Sequence, residues 1–289
     1  MEARQEAAET RRGIIIMLSA VMFIALIDPS AKYAAQELPV LQVVWGRYAF
    51  ALLAAIILFR PPLSPARWGV ARLALQLVRA LLLLSATAFN FLALRSLGLV
   101  ENQAIVMFGP VVITALSILV FREKATPAVI AGLLAGLAGA LLVIRPGGDI
   151  FKVGSLFAIG HVMSYAFYVL LSRRLLETDS ALSLNMLAVF LPAAILSIFM
   201  PSIWVWPDTA GSWFAFASVG VAGGIGHFLL VLAHRHASAS MLAPLAYTQL
   251  CWALAGGILV FREIPDLSTM IGAAVIVSSG LLVLMAGKR

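Results

Sequence analysis

Long apolar runs broken by short polar punctuation organise this chain. They cover roughly 12–34, 39–59, 69–94, 100–121, 126–145, 151–174, 181–201, 211–235, 238–261 and 267–286. A helix needs about 20 mainly apolar residues to cross the hydrocarbon core of a bilayer, so the pattern predicts ten spans. The connections are short and leave no room for a separate soluble domain. Pro201 and Pro207 flank the break after the seventh run. The first run follows Arg11 and Arg12 and has the look of a secretory signal. The repeat described next predicts instead that it is retained as the first helix.

The chain repeats itself. A shift of 140 residues lays Ile118-Leu-Val-Phe-Arg-Glu123 on Ile258-Leu-Val-Phe-Arg-Glu263, and Arg95 on Arg235. A shift of 141 lays Gly13 on Gly154 and Val21-Met22 on Val162-Met163, the one-residue slip being a loop indel. Five helices per copy is an odd number, so the second copy must insert upside down. The expected fold is an all-α membrane protein of ten transmembrane helices in two inverted five-helix repeats, residues 1–147 and 148–289. In such architectures the substrate site lies near the midplane, at the repeat interface.

Composition agrees with a membrane class. Hydrophobic residues make up 62% of the chain, charged residues 11%, and the mean hydropathy is +1.03, whereas soluble domains carry about 25% charged residues. The net charge of +7 is read as topology rather than as nucleic-acid binding, because the basic residues sit between apolar runs. Of the 20 Lys and Arg, Arg47 and Arg79 lie within spans, and Lys32, Arg95, Arg145, Lys152 and Arg262 fall on one side. The remaining 13 fall on the other, which predicts cytoplasmic N- and C-termini. Cys251 is the only cysteine, expected as a buried inert thiol. Trp204, Trp206 and Trp213 are expected in an interfacial aromatic belt. Arg122-Glu123 and Arg262-Glu263 are expected as charge anchors at helix ends.

The stretch from Ala93-Leu-Arg-Ser-Leu-Gly through Pro110 and Phe121-Arg-Glu123 to Gly139-Ala-Leu-Leu-Val143 resembles the EamA repeat of the drug/metabolite transporter superfamily. Arg47 in Trp45-Gly-Arg-Tyr48 resembles that family's second-helix arginine, and Arg79 its third-helix arginine. The copies differ: Arg47 aligns with Ala188, and Pro110 with Leu250 while Pro244 lies earlier, so their kinks should differ. The resemblance implies a ten-helix secondary transporter of the bacterial inner membrane working by alternating access. Within the superfamily the chain looks like amino-acid exporters of YddG type, with export of amphipathic drugs as the alternative. Its implied partners are a small-molecule substrate and the lipid bilayer, with the proton as a candidate coupling ion. No cofactor and no metal are implied.

Ionisable and polar groups inside spans are costly and are therefore candidate functional residues. His161, Tyr165 and Tyr168 share one helical face near mid-depth of the sixth run. Tyr247, Gln249 and Trp252 reach comparable depth in the ninth, with Pro244 loosening the backbone. These six are the candidate substrate-binding residues. Asp28, Asn90 and Asn102 toward one end, and Arg79 and His227 toward the other, are candidates for gating or access. Gly220, Gly223 and Gly224 are read as permitting close helix packing. A nucleotide-driven pump would need a Walker A sequence, and a membrane protease a motif such as His-Glu-x-x-His. Neither occurs, which leaves an embedded enzyme as a distant alternative.

Overall fold

A computed structural model describes residues 2–59, 72–121, 126–144, 153–237 and 242–286. The helix-end pair Arg122-Glu123, and Arg145 and Lys152 of the charge tally, lie outside the described residues. Among those described there are helices and no strands. The helices are α1 (Glu2–Ala25), α2 (Ile27–Ala34), α3 (Val40–Phe59), α4 (Leu73–Leu94), α5 (Leu99–Met107), α6 (Gly109–Phe121) and α7 (Pro127–Ile144). They continue with α8 (Val153–Leu175), α9 (Ala181–Ser197), α10 (Met200–Ile203), α11 (Ala210–Ala233), α12 (Gln249–Gly256) and α13 (Leu267–Ala286). Seven helical runs among the described residues are long and apolar enough to cross a membrane, and Leu184–Ser197, Leu245–Phe261 and Leu267–Leu282 are shorter apolar runs.

Two of the seven are broken in the middle, each for the same reason. Pro29 offers no N–H to the Ala25 carbonyl, and its ring crowds that carbonyl. The helix therefore stops at Ala25 and restarts at Ile27, with the Leu26 N–H tightening onto Phe23 O at 3.2 Å. Pro110 does the same between α5 and α6, where the Phe108 N–H bonds Ile105 O at 3.0 Å. The ninth run is broken differently, as the unlike prolines predict. It opens as a 3-10 turn over Ala243–Thr248, continues as α12 and loosens into a π-turn over Gly257–Phe261. It ends at Arg262 in the left-handed region, φ 56°, a conformation that costs a non-glycine residue about 1–2 kcal/mol.

Packing follows the small residues. At the α7–α13 contact, side chains on Gly139 or Gly272 would meet the other's carbonyl at 2.9 and 2.8 Å. The backbones approach because neither residue has a side chain. Gly220 lets α11 reach α3 in the same way, with Gly46 O at 2.5 Å from where its Cβ would sit. The main contacts are α7 on α13, α4 on α8, α3 on α11, α1 on α11 and α3 on α9. In the register of the sequence repeat, exchanging the halves turns α1 on α11 into α8 on α4. The same exchange maps α3 on α9, and α7 on α13, each onto itself.

One sequence expectation changes here. Cys251 is exposed rather than buried, because its face of α12 belongs to the apolar outer surface and not to the core. Trp204 is half-buried and packs edge-on to Trp206 with ring centres 5.5 Å apart, Trp206 in turn contacting Trp213 at 6.0 Å, so the three expected belt residues do cluster. Trp204 also packs edge-on to Trp45 with ring centres 5.5 Å apart and contacts Phe216 at 6.0 Å, while Trp206 stays exposed. Gln42 holds this corner: its side-chain amide donates to Val205 O at 2.6 Å and accepts from Val205 N at 2.8 Å.

Candidate functional site

The helices enclose a cavity of about 470 Å³ lined from α1, α2, α3, α4, α5, α8, α9, α11 and α12. One wall is charged. Asp28, brought inward by the Pro29 break, accepts from Asn90 Nδ2 at 2.9 Å, and Asn90 in turn accepts from Asn102 at 2.9 Å. Arg47 on α3 contacts His227 Nε2 on α11 at 3.3 Å. A guanidinium can only donate, so that imidazole nitrogen accepts. The guanidinium fits because residue 223 is glycine: a Cβ there would meet Arg47 Nη1 at 2.4 Å.

The other wall is aromatic and comes from α8. His161 and Tyr165 stack with ring centres 5.9 Å apart and 8° between planes, and Tyr165 stacks on Tyr168 at 5.7 Å and 28°. His161 Nδ1 lies 2.9 Å from Ala86 O. A carbonyl only accepts, so Nδ1 carries the proton and the bond fixes the ring. Below this stack Arg79 of α4, 3% exposed, is held against α8 and α9. It donates to Tyr168 Oη at 2.8 Å, Ser172 Oγ at 2.6 Å and Leu184 O at 2.9 Å. Gln103 and Gln249 face the cavity and hydrogen-bond each other at 3.2 Å. Among the described residues no group of three His, Cys, Asp or Glu side chains is placed to hold a metal ion.

The cavity lining has a register. Ile24 and Tyr165, Ile27 and Tyr168, Arg47 and Ala188, and Tyr48 and Val189 stand 141 residues apart. Leu83 and Gly223, Thr87 and His227, Asn90 and Leu230, and Phe91 and Val231 stand 140 apart. The two shifts are those of the sequence repeat. Equivalent positions of the two copies therefore meet around one space, yet most pairs differ in chemistry.

The description "EamA-like transporter family" fits residues 11–145 and, a second time, residues 152–285. The chain belongs to the EamA-like transporter family. Relatives of this EamA-like chain include a riboflavin transporter of Vibrio cholerae, 26% identical over 93% of this chain and 91% of that one. A pseudopaline exporter of Pseudomonas aeruginosa is 24% identical over 92% of this chain and 94% of its own. A solved structure with 18% identity superposes at a TM-score of 0.64 over 96% of this chain and 99% of that one. The chain is thus a multi-pass membrane protein of a small-molecule transporter family.

Of the residues singled out in the sequence, His161, Tyr165, Tyr168, Gln249, Asp28, Asn90 and His227 line the cavity. Four do not. Tyr247 turns toward α13, its hydroxyl seated where a Cβ on Gly280 would be. Trp252 is 42% exposed on the outside of α12, five residues from Tyr247 and so about 140° away around the helix at 3.6 residues per turn. Asn102 is buried behind Asn90, and Arg79 sits beneath the aromatic stack. Arg47 is the cavity residue that helical periodicity failed to single out. Its sequence signals are an arginine in the middle of an apolar run and the resemblance of Trp45-Gly-Arg-Tyr48 to the family's second helix, and the glycine that admits it lies on another helix.

Proposed function

We propose that this protein is a secondary transporter exporting small zwitterionic metabolites, amino acids above all, across the bacterial inner membrane by alternating access. The observation that carries the reading is a cavity in which a carboxylate, a guanidinium and a stack of rings face one space lined by equivalent positions of the two copies. Such a mixture suits a small amphipathic solute bearing both charges. We further propose ten spans with repeats at 1–147 and 148–289 in inverted orientation, both termini cytoplasmic, and His161, Tyr165, Tyr168 and Gln249 in substrate contact. The exchange symmetry of the helix contacts supports this topology. With Asp28 and His227 facing the cavity, the proton is the proposed coupling ion. Counterflow of radiolabelled amino acids into proteoliposomes tests the reading. Saturable exchange supports it, and a cationic dye carried far better than any amino acid would overturn the choice of cargo.

A second reading has its own observation. The stacked rings of His161, Tyr165 and Tyr168 offer a flat face to a planar amphipathic solute, and the Vibrio relative is named for a flavin. Competition by riboflavin in the same assay separates the two.

A further inference from the structure

Arg47 presents five N–H donors, and among the described residues it makes one hydrogen bond, to His227 at 3.3 Å. No ion pair among them reaches its guanidinium or the Asp28 carboxylate. Both groups line the same cavity. Arg47 and Asp28 sense each other's charge across the cavity, yet no direct ion pair joins them, and the geometry of a guanidinium matches a carboxylate with two parallel hydrogen bonds. The neighbouring helix also makes room for this residue. Gly223 leaves a gap that the guanidinium fills, and the imidazole of His227 holds one nitrogen in place. The equivalent position in the second copy is Ala188, which also lines the cavity. The cation is therefore present once, and the site has one positive end.

The charged wall comes from α2, α3 and α11, with α11 packed against the other two. The aromatic wall belongs to α8, which packs on α4, α5 and α6. A solute lying between the walls meets charge at one end and rings at the other.

We infer that Arg47, positioned by Gly223 and His227, is the carboxylate anchor of the transported solute, with Asp28 receiving its ammonium group, so that a zwitterionic head is bound in one fixed orientation. This rests on the transport reading above and goes further by assigning residues to each charge of the cargo. The classes it excludes from tight binding are amines without a carboxylate and acids without an amine.

Three probes share one ring and differ only in the head: L-phenylalanine, phenethylamine and 3-phenylpropionate. In proteoliposomes loaded with L-phenylalanine, the amine and the acid should each compete at least about 10-fold more weakly than L-phenylalanine itself, as expected of a head that lacks one of its two charges. Arg47→Gln should abolish the advantage of L-phenylalanine over phenethylamine, and Asp28→Asn its advantage over 3-phenylpropionate. Arg47→Lys should restore part of the first. Gly223→Ala keeps every charged group but displaces the guanidinium, and should act in the same direction as Arg47→Gln. That pairing separates a failure of anchoring from a failure of folding, which thermal unfolding in detergent monitors. Equal competition by all three probes in the unmodified protein, or an unchanged preference in Arg47→Gln, overturns the assignment. Saturable riboflavin flux insensitive to L-phenylalanine also overturns it, while leaving transport standing. The transport reading itself falls if neither amino acids nor riboflavin show saturable flux.

Discussion

Lys32 on α2 and Glu263, just beyond the left-handed turn at Arg262, form an ion pair that fastens the first copy to the second. The same lysine donates to Leu97 O at 2.7 Å, and the second carboxylate oxygen accepts from Leu99 N at 3.0 Å. The start of α5 is thus tied to both. Side chains of the pair are only 13% and 31% exposed, so the interaction is partly shielded from water.

Glu263→Gln removes the charge but leaves Lys32 against its carbonyl. The loss of a partner for a largely buried cation predicts a destabilisation of about 1–3 kcal/mol. Thermal unfolding in detergent should show it as a lowered midpoint, and hydrogen exchange at the Leu99 amide should quicken. A midpoint equal to that of the unmodified protein would mean that this pair does not help to close that end.

Arg79→Met takes away the donor of three hydrogen bonds, to Tyr168 Oη, Ser172 Oγ and Leu184 O. Because these groups join α4, α8 and α9, the expected cost is about 2–4 kcal/mol. Arg79→Lys should recover part of it. A Met variant with full stability would show that these hydrogen bonds do not hold α8 and α9 to α4.

The two neighbouring glycines of α11 should behave differently. A methyl group at residue 220 would meet backbone atoms, Gly46 O at 2.5 Å and Ala51 N at 2.9 Å, whereas at residue 223 it meets the tip of the Arg47 side chain. Gly220→Ala is expected to cost about 1–3 kcal/mol of stability through forced helix separation. Gly223→Ala should fold normally and lose flux. Equal stability of the two variants would contradict the close approach of α3 and α11.

His161→Ala opens the top of the aromatic stack and frees the Ala86 carbonyl, which lies already within its own helix ladder. Substrate flux should fall several-fold while insertion into the membrane, followed by fractionation, stays intact. Normal flux would dismiss the α8 stack as a substrate surface.

Much of this fold is written in the distribution of apolar residues. The runs, the repeat shift and the kink at Pro110 follow from hydropathy, self-comparison and the chemistry of proline; the break before Pro29 emerges only in the structure. Periodicity also put His161, Tyr165 and Tyr168 on one face, and they share that face in the structure. It failed where a second helix decides the outcome. Tyr247 and Trp252 have the right depth, but depth does not set rotation: Tyr247 seats against Gly280 and Trp252 faces outward. The sequence grouped Trp204 with Trp206 and Trp213 but carried no sign of its further contacts with Trp45 and Phe216. Arg47 depends on the absence of a side chain at Gly223, a relation between residues 176 positions apart in the sequence.

The paired lining positions carry a consequence for how such a protein could arise. Two identical subunits meeting at this cavity would present every lining residue twice, so an arginine at position 47 would face a second guanidinium across a space of about 470 Å³. Like charges at that range repel, and a dimer would have to keep both or neither. Joining the copies in one chain removes that obligation. Alanine at 188 can answer arginine at 47, and leucine at 230 can answer asparagine at 90. A single chain can thus build a chamber whose two ends differ in charge, where a pair of identical subunits would build a symmetric one.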